Sequence, residues 1–320
     1  MLHEHARGHA MATGFFSHES CQRHDMGAAH PESPARIAAI VDYLRATGVY
    51  SELSLRDAPL ADRPDLLRVH PETHVEMLHQ LSPADGLAQV DPDTTMNPHT
   101  LEASLRAAGA VAAAVRAVLG GEMANAFCAV RPPGHHAERD AAMGFCFFNN
   151  VAVGAGVALA AGLTRVAILD FDVHHGNGTV DIFRDDERVM VCSSFQHPFY
   201  PGRLHDIDLP HIVNTPLAEG TRGLEFRRRV ERDWLRALDA HRPQLLLVSA
   251  GFDAHADDPL GGLELQEPDY RWVTELITDV ARRHAAGRVV GALEGGYDLN
   301  ALARSADAHI QVLRETDTSR

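Results

Sequence analysis

Residues 165–179 read RVAILDFDVHHGNGT, a short apolar, β-branched run that passes directly into aspartates and histidines. Four similar runs occur elsewhere in the sequence. Each has the length of a strand and is apolar on both faces, as expected for a strand of a parallel sheet that is covered on both sides. The further runs are AFCAV at 126–130, RVMVCSS at 188–194, QLLLVSAG at 244–251 and RVVGALEG at 288–295.

Segments with helical periodicity alternate with these strands. They lie at 36–46, 102–119, 149–161, 224–240, 270–285 and 300–314. This alternation predicts a three-layer, doubly wound α/β fold around a mainly parallel sheet. No linker divides the chain, so we expect one domain over residues 13–320, after a disordered tail at 1–12. Residues 82–99 read as a long surface loop.

Composition narrows the class of protein. The 320 residues are 45% hydrophobic and 23% charged, which is typical of a globular chain. No apolar run suits a membrane helix and the first ten residues lack a secretory core, so we expect a cytoplasmic protein without a membrane partner. The net charge of −15 disfavours direct nucleic-acid binding and is compatible with a cationic substrate. Nothing indicates an oligomeric state, and four scattered cysteines suggest neither disulfides nor a thiolate metal site.

Polar clusters follow four of the predicted strands. Ligands of open parallel sheets bind beyond the carboxyl ends of the strands, where such loops converge. The clusters are RPPGHH at 131–136, DFDVHHGNG at 170–178, GFDAH at 251–255 and EGGYD at 294–298. Their recurrence predicts one active site at this edge.

Two aspartates and a histidine form the candidate metal site. Asp172 and His174 lie two residues apart and share a face if the strand continues through them, and Asp253 ends a second strand. Three such ligands with an open position are typical of catalytic zinc, so we expect one Zn²⁺ per chain. Taken singly, each residue could instead be a loop cap or a buried core group.

Other clusters supply candidates for proton transfer and substrate binding. His135 and His136 suit a general base and acid, with Asp170 the expected partner of the first and Asn177 of the second. A phenol can donate to a developing oxyanion, and two glycines let the chain turn before Tyr297. The candidate substrate contacts are Gly144, Phe145, Tyr200, Leu260, Gly295 and Gly296.

These motifs resemble the histone deacetylase superfamily, in its bacterial class II-like branch, over about residues 13–313. The carrying stretches are HPESPARI at 30–37, RPPGHH at 131–136, GFCFFNNVAVGA at 144–155, LDFDVHHGNGT at 169–179, SAGFDAHADDPLGG at 249–262 and LEGGYDL at 293–299. The resemblance implies an arginase/deacetylase fold, the zinc ligands and base pair named above, Tyr297 as carbonyl donor, and Phe145 and Tyr200 as tunnel walls. It also implies a potassium ion held largely by backbone near Asp170, Asp172, His174, Ser194 and Phe195. Class I members carry aspartate where Asn177 stands.

The predicted reaction is hydrolysis of N-acyl amides, most simply of acyl-lysine in proteins or peptides. Eukaryotic acetylpolyamine members of the family carry glutamate at the position of Leu260, so this leucine favours acyl-lysine over a polyamine or another small amide. A binuclear manganese ureohydrolase is a second alternative, with His255 and Asp257 as additional ligands. A non-catalytic acyl-lysine binder is a third alternative, although such a protein would not need to retain all the metal ligands and Tyr297.

Overall fold

A computed structural model describes residues 12–317 of the chain. Its main sheet has eight strands, and every pair of neighbours in it is parallel. The strands are β1 (Gly14–Ser17), β2 (Ser54–Asp57), β5 (Asn125–Cys128), β6 (Val166–Asp170), β7 (Val189–Gln196), β8 (Ile212–Leu217), β9 (Leu245–Ala250) and β10 (Val289–Leu293), with β3 (Ala88–Asp91) and β4 (Thr94–Met96) in a separate hairpin. The spatial order is β2-β1-β5-β10-β9-β6-β7-β8.

Helices cover both faces of the sheet. They are α1 (Ala35–Ala46), α2 (Arg63–Leu66), α3 (Glu72–Leu81), α4 (Thr100–Leu119), α5 (Asn150–Ala160), α6 (Asn177–Phe183), α7 (Gly223–His241), α8 (Glu267–His284) and α9 (Leu299–Asp317). α4 packs against α5, while α9 packs against α1 and α8, and α8 against α7. The predicted three-layer, doubly wound α/β fold is therefore confirmed.

The central strands carry apolar side chains on both faces because both faces are covered. Every residue of β6, β9 and β10 is buried, and so is Trp234 on the inner face of α7. The five strands and six helices expected from periodicity are all present, with ends shifted by a few residues. The carboxyl ends of the neighbouring strands β6, β9 and β10 lie side by side, which brings the loops that follow these strands together.

Residues 82–99 differ from their predicted structure, and the predicted tail is almost entirely outside the described residues. The loop expected at 82–99 contains the β3–β4 hairpin, so that prediction was wrong. The two strands are too short to show periodicity in the sequence. They are separated by an Asp-Pro-Asp turn, in which the Asp93 amide donates to Asp91 Oδ1 at 3.3 Å. The tail expected at 1–12 lies outside the described residues except for residue 12. Within residues 12–317, no helix has the length and apolar character needed to cross a bilayer.

Candidate metal centre and its pocket

The loops after β6 and β9 bring two aspartates and a histidine together. β6 ends at Asp170, so the expectation that an extended strand carries Asp172 and His174 on one face was wrong. Consecutive turns orient them instead: the Asp172 amide donates to Asp170 Oδ1 at 3.1 Å, and the His174 amide donates to Asp172 Oδ1 at 2.9 Å. Short side-chain-to-backbone bonds of this kind stabilise the tight loop.

Asp172, His174 and Asp253 each present one ligand atom to a common point, and these atoms all lie within 4.8 Å of one another. His174 Nδ1 is 3.0 Å from Asp172 Oδ1 and 3.2 Å from Asp253 Oδ2. Both carboxylates are fully buried or nearly so. Two oxygens and an imidazole nitrogen form a donor set that Zn²⁺ commonly takes.

Backbone amides hold the remaining oxygens of both carboxylates. Gly295 donates to Asp172 Oδ2 at 2.8 Å, and Val173 donates to Asp253 Oδ1 at 2.8 Å. Among the described residues, the buried Asp253 Oδ2 accepts no hydrogen bond, which leaves it available as a ligand. The triad therefore fits a divalent cation, with outer contacts that orient its ligands.

The electrostatics of the triad also suit a cation. Burial and the nearby charge of Asp172 raise the pKa of Asp253 to about 7, because two carboxylates in one dry site repel each other. Burial opposes protonation of His174, but its hydrogen bond to Asp172 and the nearby negative charges of Asp172 and Asp253 outweigh burial and raise the pKa of His174 to about 9. A divalent ion bound between these groups would offset the repulsion.

His135 and His136 lie beside the triad with different partners. His135 Nδ1 is 2.9 Å from Asp170 Oδ2, and His136 Nδ1 is 2.6 Å from Asn177 Oδ1, as the sequence predicted. The rings are 4.0 Å apart between centroids. Burial lowers the pKa of His136 well below its ordinary value, and the neighbouring His135 adds to this effect. Burial also disfavours protonation of His135, but the charges of Asp172 and Asp170 outweigh burial and raise the pKa of His135 well above its ordinary value.

Tyr297 follows β10 and lines the same pocket. Gly296 before it has a φ of 120°, a conformation that glycine adopts at little cost. The Tyr297 amide donates to Asp258 Oδ2 at 2.6 Å, and the guanidinium of Arg36 lies 4.9 Å from its ring centroid. Burial and the charge of Asp253 hold the pKa of the phenol well above its usual range, so the hydroxyl keeps its proton and can donate it in a hydrogen bond.

A pocket of about 210 Å³ leads to these groups. It is lined by Asp93, His136, Gly144, Phe145, His174, Phe199, Tyr200, Leu260 and Tyr297. Of the six predicted substrate contacts, Gly144, Phe145, Tyr200 and Leu260 are on its wall, whereas Gly295 and Gly296 are not among its lining residues. Gly144 has a φ of 58°, and a side chain there would meet the His136 ring at 2.5 Å, so the close approach requires glycine.

Several groups in this region had no assigned role in the predictions from the sequence. Phe199 stacks on His174, with centroids 5.2 Å apart and planes 15° apart; the adjacent aromatic Tyr200 was the available signal. Asp93 and Thr94 in the hairpin accept from the Gly144 and Phe145 amides at 3.1 and 3.0 Å, and no sequence pattern linked these segments. The fully buried Glu294 accepts from the Gly134 and His135 amides at 2.6 and 3.1 Å.

Two further ligand sets were expected, one for a potassium ion and one for the second metal of a ureohydrolase. Ser194 Oγ donates to the Asp170 carbonyl at 3.4 Å, so these two of the residues expected near a potassium ion are in contact. The ring of Phe195, another of them, packs on His175 with centroids 4.6 Å apart. The expected second metal ligands of a ureohydrolase point elsewhere. His255 faces Glu267 at 3.6 Å, the Asp257 side chain is 61% exposed, and neither joins a metal-binding group within the part of the chain described.

Fold and site together define an α/β protein with a candidate metal centre at the carboxyl edge of a parallel sheet. The family description "Histone deacetylase domain" matches residues 30–313. A "Histone deacetylase-like amidohydrolase" of Pseudomonas aeruginosa is 40% identical over 310 residues, covering 89% of this chain and 81% of that protein. A "Probable deacetylase" of Archaeoglobus fulgidus is 34% identical, with 96% and 90% covered.

Solved structures agree with this relationship. The crystal structure of the HDA15 HD domain superposes with a TM-score of 0.90 at 34% identity, covering 96% of this chain and 90% of that one. The chain therefore belongs to the histone deacetylase family and has its arginase/deacetylase fold. The names of its relatives support a deacetylase or amidohydrolase activity.

Proposed function

We propose that this protein is a zinc-dependent amidohydrolase that removes acyl groups, acetyl in the simplest case, from the amines of lysine side chains. The observation that carries the proposal is the convergence of Asp172, His174 and Asp253, of which His174 lines a pocket that also presents His136 and Tyr297. A metal triad beside proton-transfer groups is an arrangement suited to hydrolysis.

The protein groups divide the chemical work between them. Asp172, His174 and Asp253 would hold the zinc ion, which would supply Lewis acidity to the amide carbonyl and to a water molecule. The His135–His136 pair accepts a proton from the attacking water and delivers one to the leaving amine. The Tyr297 hydroxyl donates a hydrogen bond to the carbonyl oxygen as negative charge develops there. Carboxylate and free amine are the products.

The shape of the pocket supports a linear substrate. Phe145, Phe199 and Tyr200 form aromatic walls, and Leu260 adds an apolar side chain. Apolar walls favour a flexible aliphatic chain such as that of acyl-lysine. Leu260 offers no charge to the distal ammonium of a polyamine.

A structural potassium ion belongs to the same proposal. Its ligands would come from the segments of Asp170, Asp172, His174, Ser194 and Phe195, and the contact between Ser194 and the Asp170 carbonyl supports their proximity. Activity of the desalted enzyme measured against increasing KCl, with NaCl as ionic-strength control, tests it; no specific response to potassium would contradict the site.

The proposed activity is tested by turnover of acyl-lysine peptides, acetylpolyamines, arginine and agmatine in parallel, with zinc supplied. We expect turnover of acyl-lysine, and its loss in Asp172→Asn. Asp185→Asn, which makes the same substitution at an exposed aspartate, is the matched control. Preference for acetylpolyamines would overturn the substrate, and turnover of agmatine or arginine with two manganese ions bound would overturn the reaction.

A further inference from the structure

Four side chains form one connected polar chain, made of two hydrogen bonds and one ion pair, from the pocket to the surface. His136 Nδ1 is 2.6 Å from Asn177 Oδ1, and Asn177 Nδ2 donates to Glu138 Oε1 at 2.8 Å. The same Glu138 oxygen lies 3.1 Å from Arg203 Nε. The first three side chains are buried, whereas the Arg203 side chain is 54% exposed.

Backbone contacts fix the two segments that carry this chain. The Gly178 amide donates to the His135 carbonyl at 3.1 Å, and a side chain at Gly178 would meet the Ala137 carbonyl carbon at 2.5 Å. Asn149 Nδ2 adds bonds to the Ala137 carbonyl at 3.2 Å and to Thr179 Oγ1 at 3.1 Å. The relative positions of Glu138 and Asn177 therefore do not depend on the long side chains alone.

The direction of the Asn177 amide determines which nitrogen of His136 carries the proton. An amide oxygen facing Nδ1 requires Nδ1–H, which leaves Nε2 free to accept a proton. With the amide reversed, its NH₂ would face Nδ1, and a neutral ring would hold its proton on Nε2. Such a ring cannot act as a base at Nε2.

Glu138 distinguishes these two directions. An ionised carboxylate only accepts hydrogen bonds, so it pairs with the NH₂ of Asn177 and repels its oxygen. Burial, with smaller effects of the charges of Asp181 and Asp140, raises the pKa of the Glu138 carboxyl above its ordinary value, and the bond from Asn177 and the charge of Arg203 offset part of that rise. The surface arginine thus favours the ionised form that the arrangement needs.

We propose that Glu138 is a positioning residue: it orients the Asn177 amide and thereby holds His136 in the Nδ1–H form. The proposal rests on the proposed hydrolase function for its effect on rate, but the tautomer is a property of the protein alone. Glu138 is not among the residues that line the pocket, so we expect it to influence kcat rather than KM.

Exchanging the carboxylate at residue 138 with the amide at residue 177 provides the test. Asn177 Nδ2 also lies 3.5 Å from the His136 carbonyl oxygen and 3.4 Å from Met143 Sδ, but both contacts are weaker than the 2.8 Å bond to Glu138. In Glu138→Gln the strongest partner can either donate or accept, so the reversed amide becomes accessible and we expect kcat to fall about 10-fold, within the range seen when a group that orients a site residue is lost. In Asn177→Asp two carboxylates face each other, and a similar fall is expected. In the double variant Asp at 177 accepts from both His136 and the Gln at 138, so kcat should return to within about 3-fold of the wild type.

Three readouts separate this inference from its alternatives. Ring ¹⁵N shifts of His136 in the zinc-loaded protein, assigned by their absence from His136→Gln, should show one tautomer in the wild type and a mixture in Glu138→Gln. Glu187→Gln, an exposed change of the same type, is the control. KM and the unfolding midpoint should change little in Glu138→Gln.

Two results would overturn the inference: an unchanged His136 tautomer in Glu138→Gln, or a double variant no faster than the slower single variant. Absence of amide turnover by the wild type would instead refute the proposed function. In that case the ¹⁵N shifts still decide whether Glu138 orients Asn177.

Discussion

Replacing Gly295 by alanine tests whether Asp172 and Asp253 hold a metal. Gly295 is not among the glycines with positive φ, so alanine brings a spatial conflict without backbone strain. Its methyl group would lie 2.5 Å from the carboxyl carbon of Asp253 and 2.7 Å from Asp172 Oδ2. Ordinary carbon contacts are near 3.5 Å, so one carboxylate must move by about 1 Å.

A displacement of this size exceeds what a zinc site tolerates, since ligand distances vary by only about 0.2 Å. We expect zinc affinity to fall about 10- to 100-fold, which corresponds to about 1.4 to 2.7 kcal/mol. Gly251→Ala should act similarly, because its methyl would lie 2.5 Å from the carboxyl carbon of Asp172.

Zinc content across a series of chelator-buffered zinc concentrations measures this change. Unfolding midpoints along the same series give a second measure, because an ion that binds only the folded state raises them according to its affinity. Gly120→Ala, at the end of α4 with a φ of −73°, should match the wild type in both measurements. Wild-type zinc affinity in Gly295→Ala would show that these two carboxylates are not the ligands.

Three other outcomes are expected. Tyr297→Phe should lower kcat by about 100-fold with zinc still bound, because an oxyanion donor is lost; near-normal turnover, as in the control Tyr43→Phe, would contradict its role. A hydroxamate should compete with substrate because its two oxygens can chelate zinc, and it should no longer bind to Asp253→Ala, which we expect to lose the metal; binding to both proteins would place the inhibitor elsewhere. Burial lowers the pKa of His70 and of His309 to about 3, against 6.5 for an exposed imidazole. The unfolded chain therefore binds more protons as pH falls from about 6.5 to 3, and each histidine should cost about 2 kcal/mol of stability by pH 5. Urea unfolding between pH 7 and 5 measures this slope, which His309→Gln should flatten; an unchanged slope would refute the assignment.

Much of the fold and most of the candidate site could be predicted because their signals are local. Each predicted strand is a buried apolar run, and the residue types at its carboxyl end indicate their chemistry. Parallel pairing then brings Asp253 near Asp172 although they are far apart in the chain. The contacts of His135 and His136 followed from the pairing of imidazoles with nearby carboxylate and amide groups.

Groups whose importance depends on distant contacts were not predictable. Glu32 lies in HPESPARI and Arg131 in RPPGHH, and neither stretch indicates that the two form a fully buried ion pair. Strand β8 was missed because its polar Asn214 and Thr215 and its Pro216 suit a sheet edge and interrupt the apolar pattern. Phe199 was missed because a phenylalanine next to a turn is more often a packing residue.

The amide donors at Val173 and Gly295 have a consequence for how this site can change. Every amino acid except proline carries the same N–H group, so ordinary point substitutions do not delete these two donors. The route to altering them is to reshape the loop itself. Substitutions of side chains at the rim and walls, apart from glycines such as Gly144, therefore leave these donors in place beside the candidate metal ligands, and efforts to redirect substrate choice should begin at the pocket mouth.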